Sequence, residues 1–182
     1  IMGDIESANN NFDVVLKNYP NSKNIDKTLY QKAQFNFEKG SYTYSIDLFS
    51  KIINEHPESS YVPYALQSRA IASSNIGNDR AAEADYKMIL EKYPTHEIAN
   101  NALLGLQETV QKTGNAGDFD KYLTQFKKAN PGSNQLESIE FEAAKSLYFN
   151  QQYDQAIAAL ERFVEAYPSS AFVTEATYLT AD

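Results

Sequence analysis

Apolar positions along this chain fall into short stretches with helical spacing, each closed by proline or glycine. Phe12, Val15 and Leu16 stand at i, i+3 and i+4, one face of a helix. Ile46, Phe49, Ile52 and Ile53 mark the inner face of a helix over 42–55, and Ala82, Tyr86, Ile89 and Leu90 do the same one unit later. Leu103, Leu104, Leu106 and Val110 make a strongly apolar helix over 97–113. The clearest stretch is 139–170, IEFEAAKSLYFNQQYDQAIAALERFVEAYPSS. It reads as two amphipathic helices joined by a short polar turn and stopped by Tyr167-Pro168.

These stretches repeat. Pro20, Pro57, Pro94, Pro131 and Pro168 are each 37 residues apart. Gly40, Gly77 and Gly114 keep the same step, and the fourth equivalent is Gln151, beside Asn150. Ala33, Ala70 and Ala144 lie 24 residues before Pro57, Pro94 and Pro168. Three series in phase predict one helix hairpin per period. The expected units are 21–57, 58–94, 95–131 and 132–168, with 1–20 as the second helix of an incomplete unit and 169–182 as the first helix of another. The chain then opens and closes in mid-repeat and reads as a piece of a longer protein. Ser22, Ser60 and Ser169-Ser170 are the expected helix caps. Gly40 is expected in the left-handed conformation at a helix end, and Pro63 in a first turn.

The third unit is irregular. Gln107 and Phe119 stand where its neighbours carry small residues. A bulky ring at a close helix crossing must push the helices apart or turn outward. The turn Gly114-Asn115-Ala116-Gly117 predicts a second helix that starts late, near Asp118.

Composition narrows the function. Net charge is −8 and the sequence pI about 4.8, which argues against a nucleic-acid groove. Mean hydropathy is −0.52, and no run approaches the roughly 18 apolar residues of a membrane span. Cysteine is absent. His56 and His96 sit beside Pro57 and Pro94 in different units and read as turn residues rather than converging metal ligands. Glu137/Glu140 and Asp79/Glu83 read as solvated charge on helix faces. No phosphate-cradling loop or nucleophile elbow is present, so neither catalysis nor a cofactor or metal is expected.

Ala at the first crossing, Ala at the second, a large apolar residue four later and then Pro: this pattern resembles the tetratricopeptide (TPR) repeat. It is carried by Ala144, Leu147, Ala156, Leu160 and Pro168; by Ala33, Phe49 and Pro57, with Ser45 for the second Ala; and by Ala70, Ala82, Tyr86 and Pro94. The early Trp and the Gly at the first crossing are missing. The 37-residue period and the spacers HPESSYVPYA and YPSSAFVTEA look like a bacterial subgroup. It includes periplasmic Tol-Pal accessory proteins and outer-membrane assembly lipoproteins.

The resemblance implies an all-α, right-handed superhelix of antiparallel hairpins, with first helices lining a concave groove. By the family's pattern that groove would present Tyr30, Gln34, Phe37, Tyr64, Gln67, Ile71, Asn75, Leu104, Glu108, Gln111, Phe141, Lys145 and Tyr148, with Tyr178 continuing the row. It implies a scaffold that captures a protein or peptide partner, periplasmic or outer-membrane-associated, with a cytoplasmic location as the alternative. The incomplete terminal units leave faces for self-association. The competing reading is a spacer or regulatory segment of a larger protein. Exposure of Tyr30, Tyr64, Phe141 and Tyr148 along one groove would favour binding; burial of all four would favour the spacer.

Overall fold

The structure, a computed structural model, describes residues 2–114, 116–133 and 135–181, with side chains from residue 5 onward except those of 116–118. Asn115 and Asp182, the last residue of the expected final helix, lie outside the described residues, as do Ile1 and Asn134. Among the described residues ten α-helices follow one another: α1 (Met2–Asn18), α2 (Ile25–Glu38), α3 (Tyr42–Glu55), α4 (Val62–Asn75), α5 (Asp79–Lys92), α6 (Ala99–Thr113), α7 (Ala116–Ala129), α8 (Leu136–Phe149), α9 (Tyr153–Ala166) and α10 (Val173–Ala181). No strand occurs among the described residues. The even-numbered helices from α2 to α10 begin 37 residues apart, and so do α3, α5, α7 and α9. Sequential helices pack as antiparallel hairpins that stack on one another, an all-α helical-repeat solenoid.

The turns inside the hairpins are built alike. At the end of α2 the Ser41 N–H donates to the Asn36 carbonyl and Gly40 N–H to that of Phe37, both at 2.9 Å. This Schellman closure needs a left-handed residue, and Gly40 has φ 76°. Gly77 (φ 78°) closes α4 in the same way. In the fourth hairpin Gln151 holds that conformation at φ 63°, with Gln152 N–H on the Leu147 carbonyl at 2.9 Å. A side chain there is strained. Gln151→Gly is therefore expected to raise stability by about 0.5–1 kcal/mol, relief of strain less the added chain entropy; an unchanged urea midpoint would contradict this.

The turns between hairpins carry a second repeated device. Ser22, Ser59, His96, Ser133 and Ser170 are spaced by the same period, and each accepts a hydrogen bond from the backbone N–H two residues on. The distances are 3.3, 3.1, 3.4, 3.4 and 3.0 Å. Ser59 also donates to the Asp26 carboxylate at 2.5 Å, and Ser133 to Asn100 at 3.1 Å, so the turn is stitched to the preceding hairpin. Ser59, not Ser60, does this work, because the helix starts at Val62 rather than immediately after Ser60. Ser22 serves as such a turn acceptor, and Asn24 holds the N-cap place of α2. His96 is a turn residue with a structural role, Nδ1 standing where a serine hydroxyl stands elsewhere.

Two expectations for the third unit are corrected. Its first helix starts at Ala99, not 97, because His96, Glu97 and Ile98 form the same turn as in the other units. Its second helix starts in register at Ala116, not near Asp118. Gly114, at φ 76°, turns the chain as quickly as Gly40 and Gly77 do. Pro63 lies in the first turn of α4, where its missing N–H costs nothing.

The core is divided. One buried cluster runs from Leu29 through Phe49, Leu66, Ile89, Leu103 and Phe126 to Leu136 and Ile139. A second holds Phe141, Ala144, Leu160, Phe163, Ala176 and Leu179. The division falls on α8, whose contact with α7 is slight, whereas α4 lies closely on α3 and α6 on α5. Within the first cluster Gly105 allows the Tyr86 ring to lie directly on α6, where a Cβ would overlap it. Burial pushes the Tyr86 hydroxyl up to about 12.

Among the described residues the buried charged groups are paired. Lys32 reaches Asp13 at 2.6 Å and ties α1 to α2. Burial would lower its pKa, but the hydrogen bonds to Asp13 and Tyr44 hold it above the ordinary lysine value. Arg69 of α4 grips Asp85 of α5 through two bonds, at 2.8 and 2.6 Å, and donates to Ser50 of α3 at 2.9 Å. Burial pushes the Asp85 carboxyl up and Arg69 pulls it partly back. Asn36 and Asn9 exchange amide bonds at 3.0 and 2.7 Å.

Candidate functional site

The expected row lies on the first helices, and its members differ in what they offer. In the middle, Ile71 and Leu104 are 36% and 37% exposed. Asn75, Glu108 and Gln111 beside them are exposed as well. Asn75 donates to the Ile71 carbonyl one turn back at 2.8 Å. Gln67, one turn before Ile71, is half-buried.

Toward α2 the row is tied into its neighbours. Tyr30 stacks on Tyr61 at 5.0 Å and meets the Tyr64 ring edge-on at 6.4 Å. Gln34 donates to the Tyr30 hydroxyl at 2.6 Å and to Ser68 at 3.1 Å. Phe37 is half-buried against Tyr42 at 5.5 Å. Tyr64 lies against His96 at 5.2 Å, and its hydroxyl donates to Glu97. That hydrogen bond to a carboxylate raises the Tyr64 pKa.

Toward α10 the row changes character. Phe141 is fully buried, stacked on Phe172 at 4.6 Å and against Phe163 at 5.5 Å. It belongs to the core and has no surface for a partner. The reason is repetition: the Phe141–Phe172 stack comes three periods after Tyr30–Tyr61, and the ring closes the joint to the next helix. Lys145 lies over the Phe141 ring at 5.4 Å and pairs with Glu175 at 2.6 Å. Tyr148 is half-buried among Phe149 and Tyr153. Tyr178 is exposed. Of the four deciding aromatics, one is core and three are half-buried, so the row is neither an open aromatic groove nor wholly interior.

A feature absent from the sequence expectations lies where the core divides. A cavity of about 210 Å³ opens between the third and fourth hairpins. Val110, Phe119, Leu123, Ala143 and Leu147 make its apolar wall, and Gln107 lies within it. Phe119 is buried, so the ring turned inward and the helices gave way. Around it α6 and α7 pack less closely than the helices of the other hairpins. Exposed Gln111, Asp120, Thr124 and Arg162 mark the mouth, and Lys127 pairs with Glu140 beside it at 2.9 Å. Gln111 belongs both to the row and to this mouth. Gln107 and Phe119 at crossings reserved for small residues were the available signal.

Among the described residues no group of His, Cys, Asp and Glu could hold a metal ion. Nor is any helix long and apolar enough to cross a membrane.

The outer membrane lipoprotein family YfiO matches residues 105–182, the segment that holds most of the cavity wall. A tetratricopeptide repeat family matches residues 27–59. Neither match reaches half of the chain. No curated protein matches it in sequence. Similar solved structures include a tetratricopeptide repeat protein from Parabacteroides merdae, 16% identical, with 96% of this chain and 65% of that one covered at a TM-score of 0.64. This chain thus spans a little under two thirds of that relative. The MamA protein is similar at 17% identity, with 93% and 86% covered and a TM-score of 0.63. In fold the chain is a tetratricopeptide-type solenoid.

Proposed function

We propose that this chain is a non-catalytic scaffold that holds a protein partner along the row on its first helices, within a bacterial cell-envelope assembly. The observation that carries this reading is the exposed centre of the row. Ile71 and Leu104 stand in the open between the amides and carboxylate of Asn75, Glu108 and Gln111. Apolar side chains set among amides suit an extended or helical segment of a partner. The flanking positions Tyr30, Gln34, Phe37, Tyr64, Lys145 and Tyr148 frame that centre, each held by its neighbours, with Gln67 half-buried among them, and the ordered side chains lower the entropy cost of binding. The envelope location rests on the match of residues 105–182 to an outer membrane lipoprotein family.

The test is affinity capture with the full-length protein in its native host, wild type against the double variant Ile71→Glu/Leu104→Glu. Both sites are exposed, so each substitution should change the unfolding free energy by no more than surface substitutions do, about ±0.5 kcal/mol. Partner affinity should fall at least about tenfold. A captured partner that binds the variant unchanged would place its site outside this row, and the absence of any captured partner would favour the spacer reading.

A further inference from the structure

Lys127 and Glu140 each break an apolar series. At the same place in the earlier periods Lys127 is preceded by Leu90, Ile53 and Leu16, and Glu140 by Leu103, Leu66 and Leu29. These aliphatic residues all pack in or against the first core cluster. Between the third and fourth hairpins the pair is ionic instead. Lys127 Nζ reaches both oxygens of the Glu140 carboxylate, at 2.9 and 3.0 Å. The Tyr167 hydroxyl donates to the same carboxylate at 2.7 Å and holds it on the fourth hairpin. The Lys127 side chain is 41% exposed and that of Glu140 14%. Other features coincide there. The core divides, α8 touches α7 only slightly, and the cavity of about 210 Å³, which Lys127 and Glu140 help to line, leaves room for movement. A close-packed joint cannot bend without compressing its side chains; this one can. Buried aliphatic contacts also hold at any salt, whereas a part-exposed ion pair is screened.

We propose that the joint between α7 and α8 is a hinge, and that the Lys127–Glu140 pair is the latch that holds it in the arrangement seen here. Release of the latch changes the angle between the solenoid before α8 and the hairpin that α8 opens. The row on the first helices crosses this hinge, with Leu104, Glu108 and Gln111 before it and Lys145 and Tyr148 after it. The latch therefore sets how far apart the two ends of the row stand, and a partner bound on both sides selects one curvature. That use rests on the scaffold reading; the hinge itself does not.

The chain has no cysteine, so pairs of spin labels on introduced cysteines report distances in the whole chain by double electron–electron resonance. No partner is added, and the outcome is independent of the scaffold reading. Lys51→Cys on α3 with Glu161→Cys on α9 spans the hinge, and Lys51→Cys with Lys92→Cys on α5 is the control before it; all of these sites are exposed. Across the hinge the distance distribution should be narrow at low salt and widen at about 1 M NaCl, where the Debye length falls to about 3 Å. Lys127→Glu should widen it at low salt, the displaced population growing up to about fivefold, the effect of one part-exposed ion pair. The swap Lys127→Glu/Glu140→Lys should restore the narrow distribution. Lys127→Leu/Glu140→Leu, the pairing of the earlier joints, should keep it narrow at both salt concentrations. Equal widths in wild type and Lys127→Glu, or a widening that the control pair shares, overturns the hinge. Should the leucine variant not fold, the swap decides alone: a distribution that stays wide in it overturns the latch.

Discussion

Phe163→Ala should lower the stability of the last hairpins by about 3–5 kcal/mol, the loss typical of a truncated core aromatic. Phe163 is 1% exposed and lies 5.5 Å from the Phe141 ring and 5.2 Å from that of Tyr167. The cluster it serves is small. Its other buried members are Phe141, Leu160, Leu179 and two alanines, so little can move in to fill the void. Because this cluster is separate from the one running from Leu29 to Ile139, the damage should stay local. Hydrogen exchange should show amides of α8–α10 losing protection while those of α2–α6 keep theirs. A loss under 1 kcal/mol, or an even loss of protection along the chain, would mean that the two clusters act as one.

The local character of that effect also marks what could be read from the chain beforehand. A period is a statement about backbone geometry, and it survives translation into structure: helix starts, the left-handed turn at Gly40 and its less suitable copy at Gln151 all follow from residue spacing. Which face meets which neighbour is a weaker inference. Phe141 and Ile71 both belong to the expected row, yet one is sealed under Phe172 and the other is open. The difference depends on residues a full period away, which a local pattern does not contain. Buried polar groups were harder still. Lysine and asparagine are mostly surface residues, and the partners Asp13 and Asn9 on the preceding helix make the burial of Lys32 and Asn36 tolerable. Phe119 posed a choice between outward rotation and separation of helices; burial of its ring shows the second, and the cavity is the result.

The same dependence on a partner underlies the second large effect. Arg69→Met should cost about 3 kcal/mol near neutral pH. Methionine keeps much of the apolar stem, but Asp85 would be left buried without its counter-charge, and Ser50 would lose its donor. Removing one partner of a buried pair typically costs about 3–5 kcal/mol, and the partial exposure of Arg69 puts this case at the lower end. The sign of the pH dependence follows from Asp85. Its carboxyl is already above the ordinary range in the folded chain, by burial, despite the arginine. Without Arg69 it climbs further. A folded pKa above the unfolded one, about 3.9, leaves full stability below the unfolded value and loses it as pH rises through the folded value. The variant's deficit should therefore be small at pH 4 or below and widen toward neutrality. Urea unfolding of both proteins across that range measures it directly. Adding Asp85→Asn should recover part of the loss and flatten the pH dependence. A deficit of constant size at every pH would assign the effect to the packing of the arginine stem instead of the charge it answers.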